Sequence, residues 1–218
     1  MTAYLRRLLF FLALALIATF SVLPFLWFIA TSLKTQVEVT AIPPTLLPSF
    51  SLAFYRSALD DYHLLHYLKN SVIVAGAATV GTIAISLFAG YALARLPLRH
   101  KPLIMGSLLV VAMFPQISIA GPVWQILAAL DWLNSYQGLI LPYITLSLPL
   151  GVWIMTGFFR ELPRELEDAA RVDGCSHLQT LFRVIVPLAA PGVFTAAILV
   201  FIYAWNEFFF ALLIMTQR

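Results

Sequence analysis

The segment from residue 161 to residue 191 reads ELPRELEDAARVDGCSHLQTLFRVIVPLAAP and differs from the sequence around it. Seven of the thirteen residues from Glu161 to Asp173 are charged at neutral pH, whereas uncharged runs of more than twenty residues lie on both sides. A segment this polar cannot lie in lipid and must face water or another protein. It is therefore a charged island in an apolar chain.

The first part of this segment has the pattern of a short helix. Pro163 suits the first turn of a helix, and Gly174 supplies a C-terminal stop. Three acidic side chains would interact favourably with the positive end of the helix dipole, namely Glu165, Glu167 and Asp168. A short helix is therefore predicted to end at Gly174.

A second helix is predicted directly after the first. Ser176 and Gln179 have the spacing of a capping box, in which each side chain bonds a backbone N–H at a helix start. This helix should run toward Pro187. In the first helix, Ala169 and Ala170 carry no bulky side chain, so a partner surface could come close to the backbone. The alternative is a surface helix that merely links two membrane spans.

The whole chain has the composition of a membrane protein. Hydrophobic residues make up 61% of it and charged residues only 11%, whereas soluble domains are about one quarter charged. A bilayer is crossed by about 20 apolar helical residues, and five uncharged runs are long enough: 8–33, 70–94, 102–130, 132–159 and 184–206. The predicted fold is an all-α, polytopic transmembrane helical bundle. Gly121-Pro122 should end the third span and leave 123–133 as a short interfacial or re-entrant piece.

The basic residues predict the orientation, because they concentrate on the cytoplasmic side of membrane proteins. A cytoplasmic N-terminus places nine of the thirteen lysines and arginines inside and puts Gln217 and Arg218 outside. Residues 1–218 then form a single transmembrane domain, with an extracytoplasmic loop at 34–69 and a cytoplasmic loop at 160–187. The net charge of +3 fits membrane insertion, and no clustered basic face suggests nucleic-acid binding.

Several common site types have little support in this sequence. Cys175 is the single cysteine, so the chain cannot form an internal disulfide. The four histidines are dispersed, and no metal site is expected. The run GAATVGT at 76–82 has glycines spaced as in a phosphate-binding loop but lacks the lysine and lies in an apolar run. We therefore expect this chain to bind no cofactor, and energy from ATP would have to come from another subunit.

The charged segment also matches a known motif. The order is Asp-Ala-Ala at 168–170, three residues, Gly174, nine residues, Val184, one residue, Val186 and Pro187. This spacing resembles the EAA loop, E-A-A-x3-G-x9-I-x-L-P, of permease subunits in binding-protein-dependent ABC importers. Asp stands for Glu, and valine stands for Ile and for Leu, so charge or apolar character is kept.

Other short strings extend the resemblance along the chain. They are GYALAR at 90–95, MFP at 113–115, MTGFF at 155–159 and WNEF at 205–208. Together they look like the carbohydrate-importer branch, and specifically its smaller, maltose-type permease. Such permeases have six spans with both termini inside the cell. The resemblance therefore implies a sixth helix and a C-terminal tail beyond the five spans seen here.

The resemblance implies a set of partners and a location. Such a permease lies in the bacterial or archaeal inner membrane and works with a second homologous permease, two copies of a cytoplasmic ATPase that uses ATP and Mg, and an extracytoplasmic solute-binding protein. Its EAA loop carries a coupling helix that contacts the ATPase. The positions expected to couple are Glu165, Glu167, Asp168, Ala169, Ala170, Asp173, Gly174 and Pro187.

Glu207 is the acidic residue in the last apolar run, and such a residue is a functional candidate. The alternative is a glutamate near the outer interface that hydrogen-bonds a neighbouring helix. Trp205 and Asn206 offer the stacking face and amide that a sugar would use, as do Gln116 and Trp153. Two other functions stay open at this point. One is an importer of a non-sugar solute, and the other is an ion-coupled carrier that uses Glu207.

Overall fold

The computed structural model describes residues 2–216, and their regular structure is helical, with no β-strand in that range. The predicted all-α class is therefore confirmed. Gln217 and Arg218, which the predicted topology places outside the membrane, lie outside the described residues. The chain divides into two compact units, Met1–Leu68 and Lys69–Arg218, and the boundary falls within one long helix.

The first unit contains α1 (Thr2–Ser32), α2 (Gln36–Thr40), α3 (Ala53–Asp60) and the first residues of α4 (Leu64–Arg95). Side-chain hydrogen bonds order the loop after α1. The buried Lys34 ammonium donates to the carbonyl of Thr45 at 2.6 Å. The Glu38 carboxylate accepts the Thr35 backbone N–H at 2.7 Å and the Ser49 hydroxyl at 2.8 Å. The helix α4 begins at Leu64, so the last residues of the predicted loop 34–69 are helical.

The second unit contains the rest of α4 and the helices that follow it. These are α5 (Lys101–Ala112), α6 (Gln116–Ala129), α7 (Tyr136–Glu161), α8 (Glu165–Val172), α9 (His177–Thr180), a π-helical turn (Leu181–Ile185), α10 (Val186–Leu188), α11 (Ala190–Asn206) and α12 (Phe209–Ile214). The charged island identified in the sequence lies between α7 and α11.

Among residues 2–216, three helices are long and apolar enough to cross a membrane unbroken, within α1, α4 and α7. Two further pairs qualify together but are sharply bent. The α5–α6 pair bends by 89°, and the pair formed by 177–188 and α11 bends by 79°. Five spans result if each bent pair counts as one, which matches the five predicted apolar runs.

The bend in the third apolar run is not where we predicted it. The helix breaks at residues 113–115, whereas Gly121-Pro122 lies inside α6. Pro115 has extended backbone angles, φ −62° and ψ 121°, and precedes the first residue of α6. Proline has no N–H to donate, and it disfavours helical geometry in the residue before it. Pro115 therefore prevents α5 from continuing into α6. The predicted separate piece at 123–133 is instead the second half of α6 and the turn after it.

The packing of α4 against α7 depends on small residues. A Cβ atom added at Gly90 would lie 2.8 Å from Met155 Cβ and 3.1 Å from Thr156 N, so only glycine fits this approach. At the same end of the unit, a buried cluster includes Tyr91, Phe159, Leu181 and Ile185. This cluster packs the π-helical turn, which belongs to the second half of the charged island, against α4 and α7.

Candidate coupling site and membrane pathway

The charged island folds as the predicted pair of short helices. α8 begins one residue after Arg164 and carries all three acidic residues in its first turn, where they face the positive end of the helix dipole. Pro163 lies just before the helix and not in its first turn. Gly174 has φ +83°, and its N–H donates to the carbonyl of Arg171 at 3.0 Å. The predicted stop at Gly174 is therefore confirmed.

The second short helix also starts where the capping residues predicted. The Ser176 backbone N–H donates to Gln179 Oε1 at 2.8 Å, and the Gln179 N–H donates to Ser176 Oγ at 3.3 Å. Both halves of the capping box are thus present. The helix continues through a π-helical turn, in which Val186 N–H donates to the Leu181 carbonyl, and reaches Leu188. The π-helical turn was not predicted from the sequence.

The predicted coupling residues divide between two sides of this region. The exposed members are Glu165, Asp168, Ala169, Asp173, Gly174 and Pro187, whereas Glu167 and Ala170 are buried. Val172 was not predicted to contribute, yet it is 88% exposed at the end of α8. The outward side of the helix therefore combines acidic groups with a solvent-exposed apolar side chain.

Glu167, one of the predicted coupling residues, lies on the buried side of α8. Its carboxylate Oε1 lies 2.7 Å from Arg95 Nε, and the two side chains are only 7% and 5% exposed. The Arg95 Nε–H bond does not point at Glu167 Oε1. The contact is therefore an ion pair and not a hydrogen bond. The Tyr91 hydroxyl donates to the other carboxylate oxygen at 3.3 Å. Glu167 is turned inward because its charge has its partner in α4.

Arg95 and Tyr91 are functional candidates that sequence reasoning missed. Arg95 is the last residue of α4, and its Nη2 also donates to the carbonyl of Leu162 at 2.7 Å. The Tyr91 ring packs edge to face on Phe159, with ring centroids 6.1 Å apart. Both residues lie in the GYALAR string, and an arginine ending an apolar run was the available signal that a charged partner lay nearby.

The candidate pathway residues lie mainly at one end of α11. Trp205 and Asn206 end this helix, and Glu207 follows it. The Trp205 ring is 41% exposed and stacks on Phe201 at 5.5 Å with 26° between the planes. Gln116 is joined to the same helix, because its Nε2 donates to the Tyr203 hydroxyl at 2.9 Å. Trp153 belongs to α7 and is 44% exposed.

Glu207 has a structural role in this arrangement. Its carboxylate oxygens accept the Phe210 N–H at 3.0 Å and 3.2 Å at the start of α12. Its backbone carbonyl accepts the Tyr143 hydroxyl from α7 at 3.2 Å. Between residues 2 and 216, no group of three or more His, Cys, Asp or Glu side chains is placed to hold a metal ion.

Proteins of similar sequence are permease subunits of transport systems. The chain is 45% identical over 203 residues to the sulfoquinovosyl glycerol transport system permease SmoH of Agrobacterium fabrum, covering 93% of this chain and 71% of that protein. It is 41% identical over 223 residues to the trehalose/maltose transport system permease MalG of Thermococcus litoralis, covering 98% and 77%. It is 41% identical over 200 residues to the trehalose transport system permease SugB of Mycobacterium tuberculosis, covering 90% and 72%.

A solved structure and a family profile agree with these relatives. A chain from the crystal structure of a bacterial ABC transporter involved in the import of the acidic polysaccharide alginate has a TM-score of 0.78 to this chain. At 21% identity, with 98% of this chain and 75% of that chain covered, the likeness shows a shared fold. The profile described as "Binding-protein-dependent transport system inner membrane component" matches residues 1–218. The chain therefore belongs to the family of inner membrane components of binding-protein-dependent transport systems, which are transport subunits and not enzymes.

Proposed function

We propose that this chain forms half of the transmembrane pathway of an ATP-driven sugar importer and that α8 docks on a separate cytoplasmic ATPase. The two faces of α8 carry this proposal. Glu167 and Ala170 attach the inner face to the permease, whereas Asp168 and Val172 remain exposed on the outer face. A docked partner that covered Val172 would remove its apolar surface from water, which is favourable. A partner that fits this face has a basic rim and an apolar hollow for Val172.

The complete importer would contain four further subunits. They are a second homologous permease, two copies of the ATPase and an extracytoplasmic solute-binding protein, with the permeases embedded in membrane lipid. The family description supports the need for a binding protein. ATP and Mg would be bound by the ATPase, since the glycine-spaced run at 76–82 lacks a lysine and lies within α4.

A sugar is the solute class that the relatives support. The three relatives belong to systems for sulfoquinovosyl glycerol, trehalose/maltose and trehalose. In this chain, the half-exposed Trp205 ring offers a flat apolar face on which a sugar ring can stack. The Tyr203 hydroxyl accepts from Gln116 and can still donate its own proton to a solute. These groups and Asn206 are the proposed solute contacts.

The proposed orientation places the N-terminus and α8 in the cytoplasm. The excess of lysine and arginine in the N-terminal, 95–101 and 160–183 regions supports it. A thiol reagent that cannot cross the membrane should then leave Cys175 unlabelled in intact cells. The same reagent should label a cysteine placed at the exposed Leu47, because the proposed orientation puts the loop after α1 outside the cell.

In the proposed mechanism, the chain transmits movement and performs no covalent chemistry. Closure of the two ATPases on ATP would draw the paired α8 helices together. Because the Glu167–Arg95 pair joins α8 to the inner end of α4 and α8 also packs on the π-helical turn, this displacement would rearrange the spanning helices. The cavity would then open toward the binding protein and receive the solute.

Reconstitution of the chain with its three kinds of partner in proteoliposomes tests the proposal. We expect uptake of a sugar from a panel of trehalose, maltose and sulfoquinovosyl glycerol that requires internal ATP and continues when a protonophore collapses the proton gradient. Uptake of an amino acid or polyol phosphate alone would contradict the sugar assignment. Uptake driven by an ion gradient without ATP would favour the carrier and overturn the proposal.

The Asp168→Lys variant tests the role of α8 in the same system. It reverses charge on the exposed face and near a helix N-terminus, where the dipole contributes about 0.3 to 1 kcal/mol. We expect normal membrane abundance but reduced binding of the ATPase. Asp60→Lys, on the exposed end of α3, is the matched charge reversal and should leave ATPase binding unchanged. Equal binding in both variants would mean that α8 is only a linker.

A further inference from the structure

The guanidinium group of Arg95 contacts both α8 and the C-terminal end of α7. Arg95 Nε lies 2.7 Å from the Glu167 carboxylate in α8, and Arg95 Nη2 donates to the Leu162 carbonyl at 2.7 Å. Leu162 is the C-cap residue that directly follows α7. Arg95 itself is the last residue of α4, so three helices meet at its side chain.

The covalent connection to α8 is short and non-helical. Leu162 has ψ 138°, and only Pro163 and Arg164 separate it from the first residue of α8. A break of this kind allows the two flanking helices to swing relative to each other. Rotation at residues 162–164 would absorb part of a displacement of α8, unless tertiary contacts oppose it. These contacts are the Arg95–Glu167 pair and the packing of α8 against the π-helical turn.

The burial of the Arg95–Glu167 pair makes it suitable for fixing an orientation. The two side chains are 5% and 7% exposed, and Tyr91 donates a hydrogen bond to the same carboxylate. A buried ion pair adds little net stability because desolvation opposes the attraction, but losing either partner leaves an uncompensated charge. Such a pair therefore selects one arrangement of α8 over others more than it strengthens the fold.

The pair also defines which face of α8 points outward. Glu167 and Ala170 lie three residues apart on the buried side of the helix, and Asp168 and Val172 lie four apart on the exposed side. If Glu167 were withdrawn from Arg95, α8 could stay docked through Asp168 and Val172 and yet rotate relative to the spanning helices.

We infer that Arg95 is a positioning residue that clamps α8 to the inner ends of α4 and α7 and so transmits the displacement of α8 to the spanning helices. This inference rests on the proposed function. Arginine suits the role because its planar fork reaches the carboxylate and the carbonyl together, whereas lysine has a single charged centre. The clamp links ATP hydrolysis to solute movement without touching either ATP or solute.

The test uses the fully assembled importer and a neutral pair. In Arg95→Gln with Glu167→Gln, both charges are removed, so neither is left buried alone. We expect this double variant to bind the ATPase in normal amount and to keep basal ATP hydrolysis. Stimulation of hydrolysis by loaded binding protein should fall by about tenfold, a typical size for coupling between sites, and fewer solute molecules should enter per ATP.

Different results are expected if the Arg95–Glu167 pair only stabilises the fold. The single variant Arg95→Gln would then lower membrane abundance, and the double variant would restore both abundance and stimulation. Wild-type stimulation in the double variant would overturn the inference. Absence of stimulation in the wild-type complex would instead count against the proposed function, so the two failures are distinguishable.

Two further measurements separate loss of the clamp from loss of the fold. Amide hydrogen exchange over residues 162–175 should quicken in the double variant, while exchange in α4 and α7 stays near wild type. Arg95→Lys should give stimulation between wild type and the double variant, because one ammonium cannot satisfy both oxygens in the same geometry. Unchanged exchange over 162–175 would show that other contacts hold α8 and would overturn the clamp.

Discussion

The carboxylate of Glu207 accepts the backbone N–H of Phe210, with its two oxygens 3.0 Å and 3.2 Å from the nitrogen. This contact starts α12 inside an apolar stretch, where an unpaired backbone N–H would be costly. The only acidic side chain of the last apolar run therefore has a structural use. An ion-coupled carrier would need the same carboxylate to gain and lose a cation.

Two substitutions at Glu207 distinguish these roles. Glu207→Gln keeps a side-chain oxygen for the Phe210 N–H, so we expect ATP-dependent uptake to continue. Glu207→Leu removes the acceptor and should destabilise the start of α12 by about 1 kcal/mol, the usual value of a helix cap. Uptake with and without a protonophore, at fixed internal ATP, checks the first expectation, and thermal unfolding in detergent checks the second. Loss of all uptake in the Gln variant at normal abundance would support a titrating role.

Gly90 should tolerate no side chain, because the α7 backbone lies close to it. In Gly90→Ala, the new Cβ would lie 2.8 Å from Met155 Cβ, and overpacking of this kind costs about 1–3 kcal/mol. Gly76→Ala is the matched control in the same helix, since its Cβ would meet nothing within 4 Å. Thermal unfolding in detergent should show a lower midpoint for the Gly90 variant alone. Equal midpoints would mean that α7 shifts freely to make room.

Gly174 should accept asparagine far better than valine. Its φ of +83° lies in the left-handed region, which costs about 1–2 kcal/mol for ordinary residues but less for asparagine. Gly174→Val should therefore redirect α9 relative to α8 and weaken ATPase binding, while Gly174→Asn stays close to wild type. Co-purification of the ATPase with each variant measures this. The prediction fails if valine and asparagine behave alike.

The loop after α1 should lose local order in acid through Glu38. The Thr35 backbone N–H and then the Ser49 hydroxyl donate to this carboxylate and hold the pKa of Glu38 below its usual range. A depressed pKa in the folded state stabilises the loop above the ordinary glutamate pKa of about 4.3, and this contribution disappears as pH falls through the lower value. The Thr35 amide resonance should therefore shift with a midpoint below that of an unfolded glutamate. In Glu38→Gln, which cannot titrate, the shift should be absent.

The local features of the coupling segment could be predicted from sequence because they depend on neighbouring residues. The capping box joins Ser176 to Gln179 three residues later, and the Gly174 stop needs only the conformational freedom of glycine. The number of apolar runs was equally accessible, since the thickness of a bilayer fixes the length of a span. The resemblance to importer permeases depended on this same local spacing.

Only the tertiary structure decided which residues of that segment face inward. Glu167 and Asp168 are adjacent and chemically alike, but Glu167 is buried because Arg95, far earlier in the chain, supplies the opposite charge. Similarly, both Pro115 and Pro122 can interrupt a helix. The α5–α6 pair bends at Pro115, whereas α6 continues through Pro122. Sequence spacing predicts local features such as helix caps and stops. Burial and charge pairing depend on which distant residues the fold brings into contact.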